Sequence, residues 1–425
     1  MEKEDTIREW SNKKIRGEKA EEKAPEEWVS ENRRYSCWLF CVPGLGNKKI
    51  FRLRETFLSL FAGDPLQFAK GIYSMPEDEL AQLWREAGLD TLSSGGGDVR
   101  KNKCFCSLLA ARHKRPDEDL QRAQRSGLSF ASVDDPDFPD RLRGIPDAPY
   151  GIYYRGALPD DAAPAVAIVG SRMATGYGRE CARKFGYELA RYGVQIISGL
   201  ARGVDGIAQR GAIDAGGKSF GVLGCGADMI YPRENEDLYR KVVDCGGVIS
   251  EYAPGTAAQA RLFPARNRII SALSDLVLVV EAKERSGSLI TADYALAQGR
   301  DVYAVPGRIT DLCAVGCNRL IRQGAGIATC PEDVLEAAAG VRKTEEDEEK
   351  PSGYFKRMSL QEPEASLYDV LDSVDAKDLT TLMEAAGERL RRQIQPSEAM
   401  MYMTDLCLKG LAEEAAAGMY RKKPD

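Results

Sequence analysis

Between residues 166 and 306 six short apolar runs recur with amphipathic stretches between them, and no other feature restricts the fold as tightly. The runs are VAIVG (166–170), VQIIS (194–198), FGVLG (220–224), GVIS (247–250), LVLVV (276–280) and VYAVP (302–306). They are largely continuous rather than alternating in polarity, as expected of strands buried on both faces. The stretches between them carry helix spacing. From Tyr177 to Tyr192 the apolar residues Cys181, Phe185 and Leu189 fall on one face, and Gly193 closes the segment. Such alternation predicts an α/β fold with a doubly wound parallel sheet and right-handed crossovers. Ligands of these sheets sit at the carboxyl ends of the strands, where glycine turns lead into helices.

At 425 residues the chain exceeds one ordinary core, and composition divides the remainder. Residues 1–34 mix charges of both signs and read as a charged leader without the apolar stretch of a secretory signal. Residues 35–128 read as a helical domain. Residues 129–156 read as an irregular connector rich in Pro, Asp and aromatic residues, which leads into the alternating region ending near 340. Residues 341–359, with the run RKTEEDEEKPSG, read as a linker, and 360–425 as a compact tail. No run of eighteen apolar residues offers a membrane span.

A formal net charge of −6 and a pI near 5.4 exclude a polycation that coats nucleic acid by bulk electrostatics. Any nucleic-acid contact must come from a local, shaped patch. The eleven cysteines are scattered, odd in number and never spaced C-x-x-C, so they are expected to be reduced, mostly buried thiols of a cytoplasmic protein, with no structural metal. The one histidine, His113, lies outside the alternating region and excludes histidine acid–base catalysis within it.

The turns at the strand ends carry the chemistry. GSRMATGYG follows the first run, SGLARGVD the second and GCGADMIYP the third. Gly170, Ser171, Ser198 and Gly199 let backbone approach an anion, the following helices offer free N–H groups, and Arg172 adds a bidentate fork. Glycine turns also serve geometry alone, but three in one sheet beside an arginine favour a phosphate site over packing. FPARNRIISALSD places Arg266 and Arg268 around Asn267 ahead of the fifth run, where they can point toward those turns. Lys218 precedes the third run, although a lone lysine there is more often solvated. Ser286 and Ser288 open a helix and suit a phosphate or ordinary capping equally. No G-x-G-x-x-G dinucleotide turn and no Walker lysine–serine pair is present. Asp205 and Glu281 read as helix caps or arginine partners rather than general bases.

In order along the chain, AIVGSR, ISGLARGVDGIAQRGAI, GVLGCGADMIYP, LFPARNRIISALSDLVLVVEA, SGSLITADYALAQGR and VYAVPG…GCNRLIRQGA resemble the DNA-processing protein A (DprA/Smf) family over about 129–340. DDPDFPDRLRGIPDAPYGIYYRG (134–156) is similar to that family's lead-in segment. The resemblance implies a Rossmann-like domain that binds single-stranded DNA without strong sequence preference, usually as a homodimer. It implies a protein that protects incoming DNA and helps the RecA recombinase load onto it during natural transformation, with no cofactor and no catalysis. By motif position Gly170, Ser171 and Arg172 would grip a phosphate, and Ser198, Gly199, Lys218 and Arg266 to Arg268 would line the same pocket. The family's second motif carries a histidine where this chain has Gln209.

The flanks resemble smaller modules. CVPGLGNKKIFRL (41–53) resembles a SAM/helix-hairpin-helix turn, in which Gly44 and Gly46 would offer amides to a phosphate beside Lys48 and Lys49; a plain helix–helix turn fits equally. The tail resembles a winged helix. Only Arg389, Arg391 and Arg392 cluster there, which favours a protein or self-interaction role over duplex DNA.

Two other readings compete. Phosphoribohydrolases of the lysine-decarboxylase-like type bind nucleotides at the same strand ends, but their P-G-G-x-G-T loop and catalytic glutamate correspond here to ERSGSLITADYA with Asp293. A purely structural adaptor leaves the arginines at three strand ends without a purpose. On the DNA reading Arg172, Arg266 and Arg268 act as clamps, and Phe263 and Tyr231 are candidates by position for stacking on bases.

Overall fold

The computed structural model describes residues 25–61, 64–90, 98–339, 360, 362–372, 376–390, 392–409, 411–416 and 418–423. The expected linker, Arg391 and the first twenty-four residues of the expected leader lie outside them. The chain divides into two compact units, Met1–Val341 and Arg342–Asp425.

The first unit opens with helices α1 (Pro25–Phe40), α2 (Asn47–Phe61), α3 (Phe68–Ser74), α4 (Glu77–Glu86), α5 (Lys103–Ala111) and α6 (Glu118–Arg125). Their own core gathers Trp38, Phe57, Phe68, Trp84 and Phe105. α1 begins within the span expected to be the leader. Its buried Asn32 donates to Asp135 Oδ1 at 3.3 Å, and Arg33 pairs with Asp135 and Asp137. The helical region and the sheet fall within the same compact unit.

The expected connector is also structured. It supplies β1 (Ser129–Ser132), the short helix α7 (Asp140–Arg143) and β2 (Gly151–Gly156). β1 pairs antiparallel with β2, and β2 with β6. The expected runs then form β3 (Ala165–Val169), β4 (Gln195–Ser198), β5 (Ser219–Val222), β6 (Gly247–Ser250), β7 (Leu276–Val279) and β8 (Asp301–Ala304), shifted by a residue or two. A two-residue β9 (Gly326–Ile327) completes a nine-stranded sheet of order β1-β2-β6-β5-β4-β3-β7-β8-β9.

Helices α8 (Gly176–Arg191), α9 (Val204–Asp214), α10 (Glu236–Cys245), α11 (Leu262–Ala272), α12 (Gly287–Ala297), α13 (Val315–Arg322) and α14 (Pro331–Ala339) follow β3 and later strands. The pleat sends alternate side chains to opposite layers. Val166 and Ile168 pack with Phe185, Leu189 and Ala208 of α8 and α9. Ala167 and Val169 pack with Ile269, Ile270 and Ala292 of α11 and α12 on the other side. Close approach of α8 to α9 requires Gly186, where a Cβ would come within 2.1 Å of the Ala208 carbonyl. All eleven cysteines are free; four are buried, six half-buried and Cys106 exposed, so fewer are interior than composition suggested.

The second unit comprises α15 (Glu364–Val370), β10 (Lys377–Asp378), α16 (Leu379–Leu390), α17 (Pro396–Leu408), β11 (Ala412–Ala416) and β12 (Met419–Lys422). Its strands form an antiparallel sheet of order β10-β12-β11. Leu367, Leu382, Met403 and Leu406 anchor a separate core. Among the described residues no helix is long and apolar enough to cross a membrane.

Candidate nucleic-acid interface

From β3 the chain steps outward through β4, β5 and β6, then α11 carries it back to β7 on the opposite side of β3. The helices leaving β3 and β7 diverge at this switch point, and a crevice opens at the strands' carboxyl ends. It holds a cavity of about 510 Å³ bounded by Gly170 and Arg172 after β3, Asp205 on α9, and the first turns of α11 and α12.

Glycine makes the floor possible. A Cβ on Gly199 would come within 2.7 Å of both Arg266 Nη2 and Asp205 Oδ2. The turn beyond it is held open in a conformation that side chains rarely adopt, with Leu200 at φ +54°. Gln209 stabilises that residue. Its Oε1 accepts from the Leu200 N–H at 3.1 Å, and its Nε2 donates to Ser219 Oγ and the Phe220 carbonyl. Gln209 is buried and supports the loop from beneath.

Arg266 lies at the base. Nη1 donates to the carbonyls of Gly199 (3.2 Å) and Val222, and Nε to Asn267 Oδ1 at 3.2 Å. Nη2 has no hydrogen-bond partner among the described residues. Burial brings its pKa down to about 10, against the opposing pull of Asp205. Asp205 accepts from the Gly199 N–H at 3.2 Å. Burial raises its carboxyl above the usual range despite Arg266 and the backbone donors. A desolvated guanidinium beside a carboxyl that resists ionisation makes a floor suited to an anion.

Above the floor sits a stack. Tyr231 and Phe263 lie with centroids 5.4 Å apart and planes at 27°, and the Arg172 guanidinium is 5.4 Å from the Phe263 ring. Arg172 is exposed and has no ion pair among the described residues. On the far wall Ser286 caps α12, accepting from the Ser288 N–H at 3.4 Å while the two hydroxyls lie 2.7 Å apart. Both serines line the cavity as well, so capping and anion access coincide there. Arg285 reaches the same wall and was not anticipated, although it stands immediately before Ser286 in the sequence. Asn267 lines the cavity too, with Nδ2 donating to the Gly287 carbonyl at 3.1 Å.

Other expected residues lie elsewhere. Lys218 is exposed at the amino end of β5. Four strand residues at roughly 3.3 Å each separate it from the carboxyl end. Arg268 is two positions from Arg266 on a helix, a rotation of about 200°, so the two point apart. Its Nη2 pairs with Glu251 Oε1 at 2.6 Å and its Nε donates to the Asp147 carbonyl at 2.9 Å, leaving its side chain 6% exposed. Ser198 is fully buried and donates to the Ile168 carbonyl at 2.6 Å, tying β4 to β3. Ser171 Oγ accepts from the Met173 N–H at 3.1 Å and shapes the turn. Gly44 and Gly46 do not line the cavity. The Gly44 carbonyl takes Lys49 Nζ at 2.9 Å, and the neighbouring Asn47 docks this turn on the sheet through Glu251 and the Tyr150 N–H.

The carboxylates also sort themselves. Glu281 accepts from the Thr175 N–H at 3.0 Å and from the Thr175 hydroxyl, at the start of α8. Asp293 is exposed on α12 and outside the cavity.

The sequence model for DNA recombination-mediator protein A matches residues 129–339, a span that contains every residue of this cavity. The DNA processing protein DprA of Streptococcus pneumoniae is 42% identical over 219 residues, 52% of this chain and 77% of that protein. The chain belongs to this family. DprA of Bacillus subtilis is 40% identical over 218 residues, covering 51% of this chain and 73% of that protein. The Smf protein of Synechocystis is 37% identical over 254 residues, 59% of this chain but only 64% of that protein. Among solved structures, DprA from S. pneumoniae superposes with a TM-score of 0.58 at 31% identity, over 71% of this chain and 96% of that one. The family match begins at β1, so the two strands hidden in the expected connector belong to the family's domain.

Proposed function

We propose that this protein binds single-stranded DNA in the switch-point cavity and performs no catalysis there. The observation that carries the reading is the free Arg172 stacked on the Phe263–Tyr231 pair above the buried Arg266. The arginines and the start of α12 suit phosphate, and the aromatic pair suits a base without asking which base it is. A duplex hides its base faces inside the helix and gains nothing from that pair. The names of its DprA relatives speak of DNA processing, and the reading extends this to a protein that protects incoming single strands and helps load RecA onto them in transformation, in the cytoplasm.

One cavity grips few phosphates, so tight binding on long strands calls for a homodimer bridging successive nucleotides. Exposed Ile309 and Leu312 in the segment after β8, and Ile327 on β9, offer apolar surface for such an association. The phosphoribohydrolase alternative lacks support at its decisive position, since Asp293 faces solvent.

Fluorescence anisotropy with labelled oligo-dT and its duplex, over a range of salt, tests the reading. The native chain is expected to prefer the single strand, with a salt slope near −0.7 per phosphate held. Equal affinity for both forms, or binding insensitive to Arg285→Ala and Phe263→Ala together, would remove the DNA site from this cavity.

A further inference from the structure

The second unit has the element order of a winged helix, yet its third helix is unsuited to DNA. α17 reads PSEAMMYMTDLCL and contains no lysine or arginine. Ala399, Met403 and Leu406 form its buried face. Its outer face is apolar as well: Met400 is 48% exposed, Met401 58% and Leu408 82%. Thr404 stands four residues after Met400 and three after Met401, and Leu408 four after Thr404, so they share one side of the helix. A helix laid in a groove of a duplex faces phosphates on both sides and needs cations. The neighbouring cations are engaged. Arg392 pairs with Glu398, Lys409 with Glu364 and Asp405, and Arg421 with Glu413, at 2.6–2.7 Å. Lys422 Nζ lies 4.9 Å from the Tyr368 ring centroid.

The wing borders the stripe. The Tyr420 hydroxyl on β12 donates to Met400 Sδ at 3.7 Å, and the exposed Glu414 is its cross-strand partner on β11. Glu398 stands one turn before Met401, and Asp405 one turn before Leu408. From residue 360 to 425 thirteen Asp and Glu oppose eight Lys and Arg, so most of the chain's net charge of −6 resides in this unit.

We propose that the Met400–Met401–Leu408 stripe docks a basic amphipathic helix of a partner protein, its apolar residues on the stripe and its Lys or Arg toward the exposed Glu414 and the carboxylate excess of this unit. Methionine side chains are unbranched and adapt to a helical ligand. The carboxylate excess discourages a second copy of the same face, because like charges would meet across that interface.

The probe is a synthetic helical peptide of Leu and Lys, about five turns long, with Leu on one face. Two controls accompany it: an isomer with Leu spread around the helix, and a version with Glu in place of Lys. The full chain is expected to bind the first peptide at least about tenfold more tightly than either control, by titration calorimetry. Met401→Ser with Leu408→Ser should weaken that binding at least about tenfold, since it withdraws the apolar contact. Oligo-dT binding by the same variant should not change, and Glu414→Lys should weaken the peptide alone. Equal binding of the three peptides, no binding, or full binding by the double variant overturns the proposal. Loss of duplex affinity in that variant would assign the face to DNA, and a fall in its sedimentation mass would assign it to a second copy; either result also overturns it.

Discussion

Strands β3 and β7 end between two clefts. One, of about 510 Å³, is walled by Gly170, Arg172, Arg266, Arg285 and the start of α12. The other, of about 700 Å³, lies toward β8 and is walled by Thr175, Tyr177, Glu281, Pro306, Arg308 and Asp311. The larger cleft is the poorer phosphate site. Its buried Glu281 already occupies the start of α8, where an anion would otherwise bind, and Asp311 offsets Arg308. In the smaller cleft the corresponding helix start, at Gly287, is capped only by neutral serines, and the one carboxyl present, Asp205, is raised above its usual range by burial. Side-chain charge at the helix start separates two clefts that size and position at the sheet leave alike.

Substitutions can break that contrast, and the largest effect is expected at Arg266. Removing it by Arg266→Ala strips donors from the Gly199 and Val222 carbonyls and leaves Asp205 without its nearby cation. Urea unfolding should show a loss of about 3 kcal/mol, together with loss of oligo-dT binding. A loss below about 1 kcal/mol would mean that the floor is not held by this residue.

Next comes the free cation. Arg172→Ala should raise the oligo-dT Kd at least about tenfold while stability stays within about 0.5 kcal/mol, because the side chain is exposed. The salt slope should become shallower by about 0.7. Arg308→Ala, in the other cleft, should leave the affinity unchanged; equal defects from the two variants would erase the distinction between the clefts.

Asp205 provides a smaller, pH-dependent test. Its folded carboxyl is raised, so from about pH 4, the ordinary carboxylate value, up to its raised value the folded protein holds a proton that the unfolded chain has released. Its contribution to stability therefore falls as pH rises through that window and is constant above it. Oligo-dT binding should weaken in the same direction as the carboxyl ionises beside Arg266. In Asp205→Asn both trends should flatten, and an unchanged pH profile would show that this carboxyl does not titrate there.

The smallest effect is expected at Lys218. Lys218→Ala should change oligo-dT affinity by less than about twofold, since the side chain stands at the amino end of β5. A larger defect would mean that DNA wraps around the sheet instead of resting on its carboxyl end.

The six central strands were legible because extensive burial leaves mostly apolar residues to read. β1 and β2 were not, since SFAS and GIYYRG are short, mixed in polarity and paired antiparallel at one side of the sheet. Gly170, Arg172, Ser286 and Ser288, all read from the turns after strands, line the candidate cavity, and Gly199 lies against Arg266 at its floor. Arg268 and Lys218 lie away from that cavity, and local geometry bears on both: helix rotation separates Arg268 from Arg266, and strand direction separates Lys218 from the turns.

By itself the sequence determined a doubly wound sheet and the end at which a ligand would sit, because both follow from periodicity and from turns a few residues long. Which arginines remain free for that ligand was decided only by the tertiary structure. Arg268 is taken by Glu251 and by the Asp147 carbonyl, the latter 121 residues away, while among the described residues Arg172 meets an aromatic ring and pairs with no carboxylate. Such pairings depend on which distant segments the fold brings within about 4 Å, and a local pattern carries no record of that.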